Sequence, residues 1–170
     1  MSALCFIDTE TTGLDARIHQ PWEVCYWRED EAEPTTLRLP HTLEYADPQA
    51  LDIGRYWERS GAVDLRGNIG APWMVAHALR GVTLVGSNPA FDAAMLTRVI
   101  GTSIWHHRMI DVSNVAMVVF DTARPLGLAE IAGRLGVLGH EIPEPDHTAE
   151  GDVRTTRAAY VALREIGAQR

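Results

Sequence analysis

The chain has 170 residues, with a hydrophobic fraction of 46%, a charged fraction of 22% and a net charge of −8. This length predicts a single domain over residues 1–170, and the negative charge argues against a passive nucleic-acid coat protein. No apolar run approaches the ~20 residues of a membrane span. Because the N-terminus lacks the basic and apolar segments of a secretory signal, we expect a cytoplasmic protein with no membrane partner.

Three strands are predicted in the first part of the chain. An apolar run ends at Asp8 and indicates a buried strand, residues 21–28 alternate as a second strand, and residues 35–39 form a third. An acidic turn separates the second strand from the third, so we expect an antiparallel meander. Cys5 and Cys25 lie in these strands and are expected to be buried, reduced thiols.

From Asp47 onward helices are predicted before, between and after two further strands. Asp47 and Pro48 begin a short helix that ends near Gly54. Further helices are predicted over residues 68–79, 89–100, 112–120, 126–135 and 148–166, and further strands over 82–85 and 104–110. Ile69, Trp73, Ala76 and Leu79 are expected to share the buried side of their helix, and Tyr56 and Trp57 to join the core. This order predicts an α/β fold with a mixed five-stranded sheet, an antiparallel meander plus parallel strands, flanked by helices.

Two acids follow the first strand. Asp8 and Glu10 are two residues apart, so they point the same way if the strand continues through them. Gly13 then allows a sharp turn. Adjacent carboxylates repel each other, and a divalent cation with oxygen ligands relieves that repulsion. The alternative is a pair of solvated acids at a strand end.

Two further acids occupy comparable places. Asp92 lies in the first turn of the helix that follows the fourth strand, where an acid also suits the helix dipole. Ligand sites gather at the carboxyl ends of central strands, so Asp8 and Asp92 are expected to share a site. Asp152 lies about one turn into the last helix, and His147 lies in the loop before it. A surface-loop histidine is the alternative for His147. Asp111 and His106 are interpreted as structural.

Four carboxylates and one imidazole match a two-metal phosphodiester hydrolase. Across the three motifs the sequence resembles the DEDDh exonucleases of the RNase H-like superfamily, which include polymerase proofreading subunits and stand-alone 3′→5′ exonucleases. The motifs are Asp8-Thr9-Glu10-Thr11-Thr12-Gly13-Leu14, Asn88-Pro89-Ala90-Phe91-Asp92 and His147-x-Ala-x-x-Asp152.

The resemblance implies a role for each residue. Asp8 would bridge two cations, Mg²⁺ or Mn²⁺, with Glu10 and Asp152 completing the first site and Asp92 holding the second. His147 would be the general base for the attacking water. The substrate-binding residues would be Thr11, Thr12, Gly13, Leu14, Asn88 and Phe91, with Leu14 against a base.

The expected function is a metal-dependent 3′→5′ exonuclease that releases nucleoside 5′-monophosphates from single-stranded or 3′-end DNA or RNA. Two alternatives stay open: an oligoribonuclease-like or RNA-processing exonuclease, and a non-catalytic RNase H-like module that binds nucleic-acid ends or a partner. Proofreading subunits often carry a docking tail, and the chain stops at its last predicted helix, which puts polymerase attachment in doubt. The sequence also leaves open whether the protein forms a homodimer.

Overall fold

The computed structural model describes residues 2–60 and 66–168. Five strands form its sheet: β1 (Leu4–Thr11), β2 (Pro21–Arg28), β3 (Thr35–Arg38), β4 (Thr83–Gly86) and β5 (Ile110–Asp111). The described residues also form seven helices: α1 (Pro48–Ile53), α2 (Tyr56–Arg59), α3 (Ala71–Ala78), α4 (Pro89–Ile100), α5 (Val112–Val119), α6 (Leu128–Val137) and α7 (Ala149–Ala168).

The strands are ordered β3-β2-β1-β4-β5 in one mixed sheet. β1 pairs antiparallel with β2, which pairs antiparallel with β3. On its other side β1 pairs parallel with β4, which pairs parallel with β5. The predicted fold class, a meander joined to parallel strands, is therefore confirmed, and β1 is the strand where the two halves meet.

The sheet has a hydrophobic core on each face. Phe6 and Cys25 belong to the core that packs under α5, α6 and α7. Cys5 and Val24, their neighbours in sequence, belong to the core on the opposite face, under α3 and α4. Because both faces are covered, β2 shows burial at nearly every position instead of the alternation of a half-exposed strand.

The last strand is much shorter than the sequence predicts. The prediction of a strand over residues 104–110 is wrong, since only Ile110 and Asp111 pair with β4. The backbone before them does run beside the start of β4: the amide of His106 donates to the carbonyl of Val82 at 2.8 Å. This bond and the one from the amide of Gly81 to the carbonyl of Ile104, also 2.8 Å, do not continue as a ladder.

The prediction for the buried side of α3 is confirmed for Leu79 and is wrong for Ile69 and Trp73. Trp73 is 72% exposed and Ile69 is exposed, whereas Ala71 and Val75 are buried with Leu79. The helix therefore turns its Ala71–Val75 side to the sheet, and Trp73 instead stacks on His77 with ring centroids 5.6 Å apart.

Most of the other predictions about the core are confirmed, and one is wrong. Asp47 caps α1 by accepting the amide hydrogen of Gln49 at 2.9 Å, and the helix ends at Gly54, as expected. Tyr56 is fully buried as predicted, but its neighbour Trp57 is largely exposed. Both cysteines are buried and free. In the described part of the chain, no helix combines the length and apolar character that crossing a membrane requires.

Candidate functional site

Asp8 lies in the middle of β1, two residues beyond the last parallel pair with β4, Phe6 with Val85. It shares the face of Phe6 and so points toward the α7 layer, as does Glu10. Burial raises the pKa of Asp8 well above its ordinary value, and the charges of Asp92, Asp152 and Glu10 raise it further. The structure therefore brings the other three predicted acids within electrostatic range of Asp8.

Asp92 reaches this region from the first turn of α4. Its side chain is only 3% exposed, and it accepts a hydrogen bond from the hydroxyl of Thr9 at 2.7 Å. Burial raises the pKa of Asp92 to about 7, against the opposing effect of the Thr9 hydrogen bond. Thr9 lies between the two acids of the first motif, and the sequence alone predicts no role for it.

Asp152 is the fourth residue of α7. The helix begins where the hydroxyl of Thr148 accepts the amide hydrogen of Gly151 at 3.0 Å. Burial raises the pKa of Asp152, while the neighbouring charge of His147 lowers it. One of its oxygens, Oδ1, is buried without a hydrogen-bond partner. A buried carboxylate oxygen in this condition is costly for the protein alone and suits a cation ligand.

His147 is exposed in the loop that leads into α7. Its backbone adopts a left-handed conformation, with φ of +57°. Its carbonyl oxygen accepts a hydrogen bond from Nη1 of Arg59 at 3.5 Å. The loop therefore presents the imidazole near Asp152, and a residue of α2 holds its backbone.

Glu10 also contacts Arg59. Nη1 of Arg59 lies 3.8 Å from Oε1 of Glu10. Burial raises the pKa of Glu10 to about 8; the charge of Arg59 opposes this shift and the charge of Glu23 adds to it. Neither Arg59 nor Glu23 belongs to a recognisable motif, so sequence reasoning missed both.

The acids fit a divalent cation by their chemistry, because carboxylate oxygens are the ligands that Mg²⁺ and Mn²⁺ prefer. Within residues 2–60 and 66–168, however, no three His, Cys, Asp or Glu side chains are drawn together tightly enough to form a metal cage. Two of the acids have other contacts: Asp92 binds Thr9, and Glu10 faces Arg59. The site is thus a loose set of carboxylates with one unpartnered oxygen.

A cavity of about 280 Å³ opens beside Glu10. Thr11, Leu14 and Phe91, three of the predicted substrate-binding residues, line it. Leu14 is 80% exposed at its rim. The rest of the lining comes from α1 and its cap, which no motif in the sequence connects with the site: Asp47, Gln49, Ala50 and Ile53.

The other three predicted substrate-binding residues do not line this cavity and instead have structural contacts. Thr12 exchanges two hydrogen bonds with the backbone of Gln20, at 2.8 and 2.9 Å. Gly13 packs against the ring of His19, which would lie 2.5 Å from any added Cβ. Asn88 adopts a left-handed conformation before α4, and its backbone N–H donates to Oδ1 of Asp111 at 3.3 Å. Asp111 in turn caps α5, in keeping with its expected structural role.

The fold of this chain, a mixed five-stranded sheet flanked by helices, matches the RNase H-like fold of solved exonuclease structures. Known structures with this fold include exonuclease I, which matches with a TM-score of 0.76 and 15% identity over 97% of this chain and 41% of the other. E. coli exonuclease I in complex with a dT13 oligonucleotide matches with a TM-score of 0.73 and 17% identity over 97% and 41%. The zinc-bound E. coli exonuclease I complex with single-stranded DNA matches with a TM-score of 0.68 and 16% identity over 100% and 42%.

The chain thus spans about two fifths of the length of these proteins. No family model matches its sequence, and no curated protein matches it significantly.

Proposed function

We propose that residues 1–170 act as one metal-dependent 3′→5′ exonuclease domain. The observation that carries this proposal is the buried, unpartnered Oδ1 of Asp152, in a site where burial and then the charges of Asp92, Asp152 and Glu10 raise the pKa of Asp8. Such a site is unfavourable for the protein alone, and bound cations would relieve both the repulsion and the missing contact.

Two divalent cations, Mg²⁺ or Mn²⁺, would be held at this site. Asp8, Glu10, Asp92 and Asp152 would be the residues that hold them. Bound there, the cations would supply activation of water and stabilisation of the charge that develops on the phosphate. The likeness to a zinc-bound exonuclease I complex supports dependence on a divalent metal.

His147 would serve as the general base. It is exposed, it lies beside Asp152, and it is not itself needed as a ligand, so it is free to accept the proton of the attacking water. The water oxygen would bond to phosphorus as the bond from phosphorus to the 3′ oxygen breaks, and the released 3′ oxygen would take up a proton from solvent to become a hydroxyl. The products are a nucleoside 5′-monophosphate and a strand shortened by one nucleotide.

The cavity beside Glu10 would receive the terminal nucleotide. Leu14 and Phe91 offer apolar contact for its base, and Thr11 offers a hydroxyl nearby. Recognition confined to the 3′ end needs no broad basic groove, which is consistent with the net charge of −8. The dT13 complex of a protein with this fold favours single-stranded DNA as the substrate.

A digestion panel tests the proposal. Single-stranded DNA, duplex DNA and single-stranded RNA, each labelled at the 5′ end, are incubated with Mg²⁺ or Mn²⁺, and D8A serves as the inactive control. We expect a ladder of single-stranded DNA shortened from the 3′ end, with 5′-monophosphates as products. Preferred digestion of RNA would favour the RNA-processing alternative. If the parent protein digests none of the three with either metal, the exonuclease proposal fails and a binding module takes its place.

A further inference from the structure

Three charged residues form a row across the sheet that begins at Glu10 of the candidate site. Glu10 on β1 is the register partner of Glu23 on β2, and Glu23 is the register partner of Arg38 on β3. Like charges directly opposite each other on paired strands are destabilising, and the side chain of Glu23 is almost fully buried. Arg38 offsets part of this charge, with its Nε 3.3 Å from Oε2 of Glu23.

Arg59 neutralises the remainder from above the sheet. Its side chain is 15% exposed, its Nη2 contacts Oε1 of Glu23, and its Nη1 lies 3.8 Å from Oε1 of Glu10. The indole of Trp22 supports both guanidinium groups, with the carbon Cζ of Arg59 4.9 Å and that of Arg38 5.1 Å from the ring centroid. Arg59 is thus fixed by a carboxylate on one side and an aromatic face on another.

The same guanidinium also bonds to backbone on two other elements. Nη1 of Arg59 donates to the carbonyl of Gly54 at 2.9 Å and to the carbonyl of His147 at 3.5 Å. Gly54 lies close enough to Glu10 that an added Cβ would be 2.7 Å from Oε2 of Glu10. One side chain therefore connects the glutamate of β1, the end of α1 and the loop that carries the histidine.

We infer that Arg59 is a positioning residue, which holds Glu10 and the His147 loop in one fixed relation while Glu23 holds Arg59. This inference deepens the proposed exonuclease function and rests on it, but it assigns a task to a residue outside the three motifs. The planar guanidinium presents five donors in a fixed fork, so it can serve several acceptors at once. A lysine at this position would carry the positive charge but would lack the planar set of donors that reaches several acceptors at once.

The test compares R59A and R59K with R55A as the matched control. Arg55 lies in the same segment, but it is exposed and pairs only with Glu58 among the described residues. For R59A we expect kcat on a single-stranded oligonucleotide to fall by about 10–100-fold, the usual effect of removing a group that orients a metal ligand, with KM near the parent value. R59K should recover only part of kcat, and R55A should match the parent.

Two further readouts separate positioning from general stability. Added guanidinium should restore kcat of R59A, and ammonium should not, because only guanidinium reproduces the planar set of donors. Amide hydrogen exchange of the peptide around His147 should speed up in R59A while the sheet stays protected, and R55A should leave both unchanged.

Parental kcat in R59A, or unchanged exchange around His147, would overturn the inference. So would a loss of activity in R59A explained wholly by a lower fraction of folded protein, measured by circular dichroism. If the parent itself digests nothing, the exonuclease proposal fails, and the hydrogen-exchange comparison still decides whether Arg59 holds the loop.

Discussion

Asp8 and His147 are expected to fail in different ways when they are replaced. Asp8 lies among the other acids, so D8A should lose Mn²⁺ binding and hydrolysis together. H147A should keep Mn²⁺ binding and binding of a 3′ end nearly intact, while hydrolysis falls by roughly 10²–10⁴-fold, the usual contribution of a positioned general base. Metal titrations and single-turnover rates on both variants check this. If H147A digests a strand as fast as the parent, His147 is not the base.

Leu14 tests the assignment of the cavity. Because it is 80% exposed, truncating it should leave the melting temperature unchanged. If it contacts the terminal base, L14A should raise KM for single-stranded DNA by about tenfold, the lower end of what such an apolar contact contributes. V137A is a suitable control, since Val137 is exposed on α6, outside the residues that line the cavity. Equal KM values for L14A and the parent would place the terminal nucleotide elsewhere.

At the scale of elements, the end of α1 controls the space available to Glu10. A methyl group at position 54 would lie 2.7 Å from Oε2 of Glu10, so G54A should push that carboxylate aside. We expect kcat to fall by about 10–100-fold at limiting Mn²⁺, and to recover in part at high Mn²⁺.

G136A is the control for this substitution. Gly136 lies in α6 with open space around it, so alanine there should stabilise the protein by ~0.5–1 kcal/mol without changing its activity. Parental activity of G54A at every Mn²⁺ concentration would show that the position of Glu10 does not limit the reaction.

The elements also show where sequence reasoning works. Strands β1, β2 and β4 and helices α4 and α7 follow from strong local patterns, and the five acid and imidazole positions follow from motifs attached to those elements. The buried side of α3 could not be predicted from its sequence, because apolar residues lie on both sides of the helix and only packing on the sheet selects Val75 over Trp73. Arg59 could not be predicted either, since its contacts come from residues 36 and 88 positions away.

For the whole molecule, the raised acid pKa values link stability to pH. Burial raises the pKa of Asp92 to about 7 and that of Glu10 to about 8, so the folded protein holds protons that the unfolded chain has released. The free energy of unfolding without metal should therefore fall as pH rises from about 5 to about 8. Mn²⁺ should raise the melting temperature more at pH 8 than at pH 5.

The variant D92N isolates one contribution to this pH dependence. It cannot ionise, so its melting temperature without metal should fall less steeply over the same pH range and should exceed that of the parent at pH 8. Thermal scans of parent and variant, with and without Mn²⁺, measure both effects. A parent profile that is flat, or that rises between pH 5 and pH 8, would contradict the expected cost of ionising these buried acids.

The reactivity of the two thiols measures the opening of the two hydrophobic cores, one on each face of the sheet, separately. Cys25 lies in the core under α7 and Cys5 in the core under α3 and α4, and burial raises the pKa of each to about 12. Neither should react with iodoacetamide in the folded protein, and both should react at the same rate as the protein unfolds cooperatively. Mass spectrometry after timed labelling would detect any difference between the labelling rates of the two cysteines. Faster labelling of one would show that the core around it opens without unfolding of the whole protein.

The row of Glu10, Glu23 and Arg38 has a consequence for how the chain reaches its fold. Side chains alternate along a strand, so a slip of β2 by one residue would turn Glu23 to the opposite face of the sheet. There it would meet the apolar core under α3 and α4, away from both arginines. An uncompensated charge buried in that core is costly, so misaligned sheets are selected against while the strands assemble. The charged residues that position Glu10 would thus also favour the native register of β2 over a register shifted by one residue.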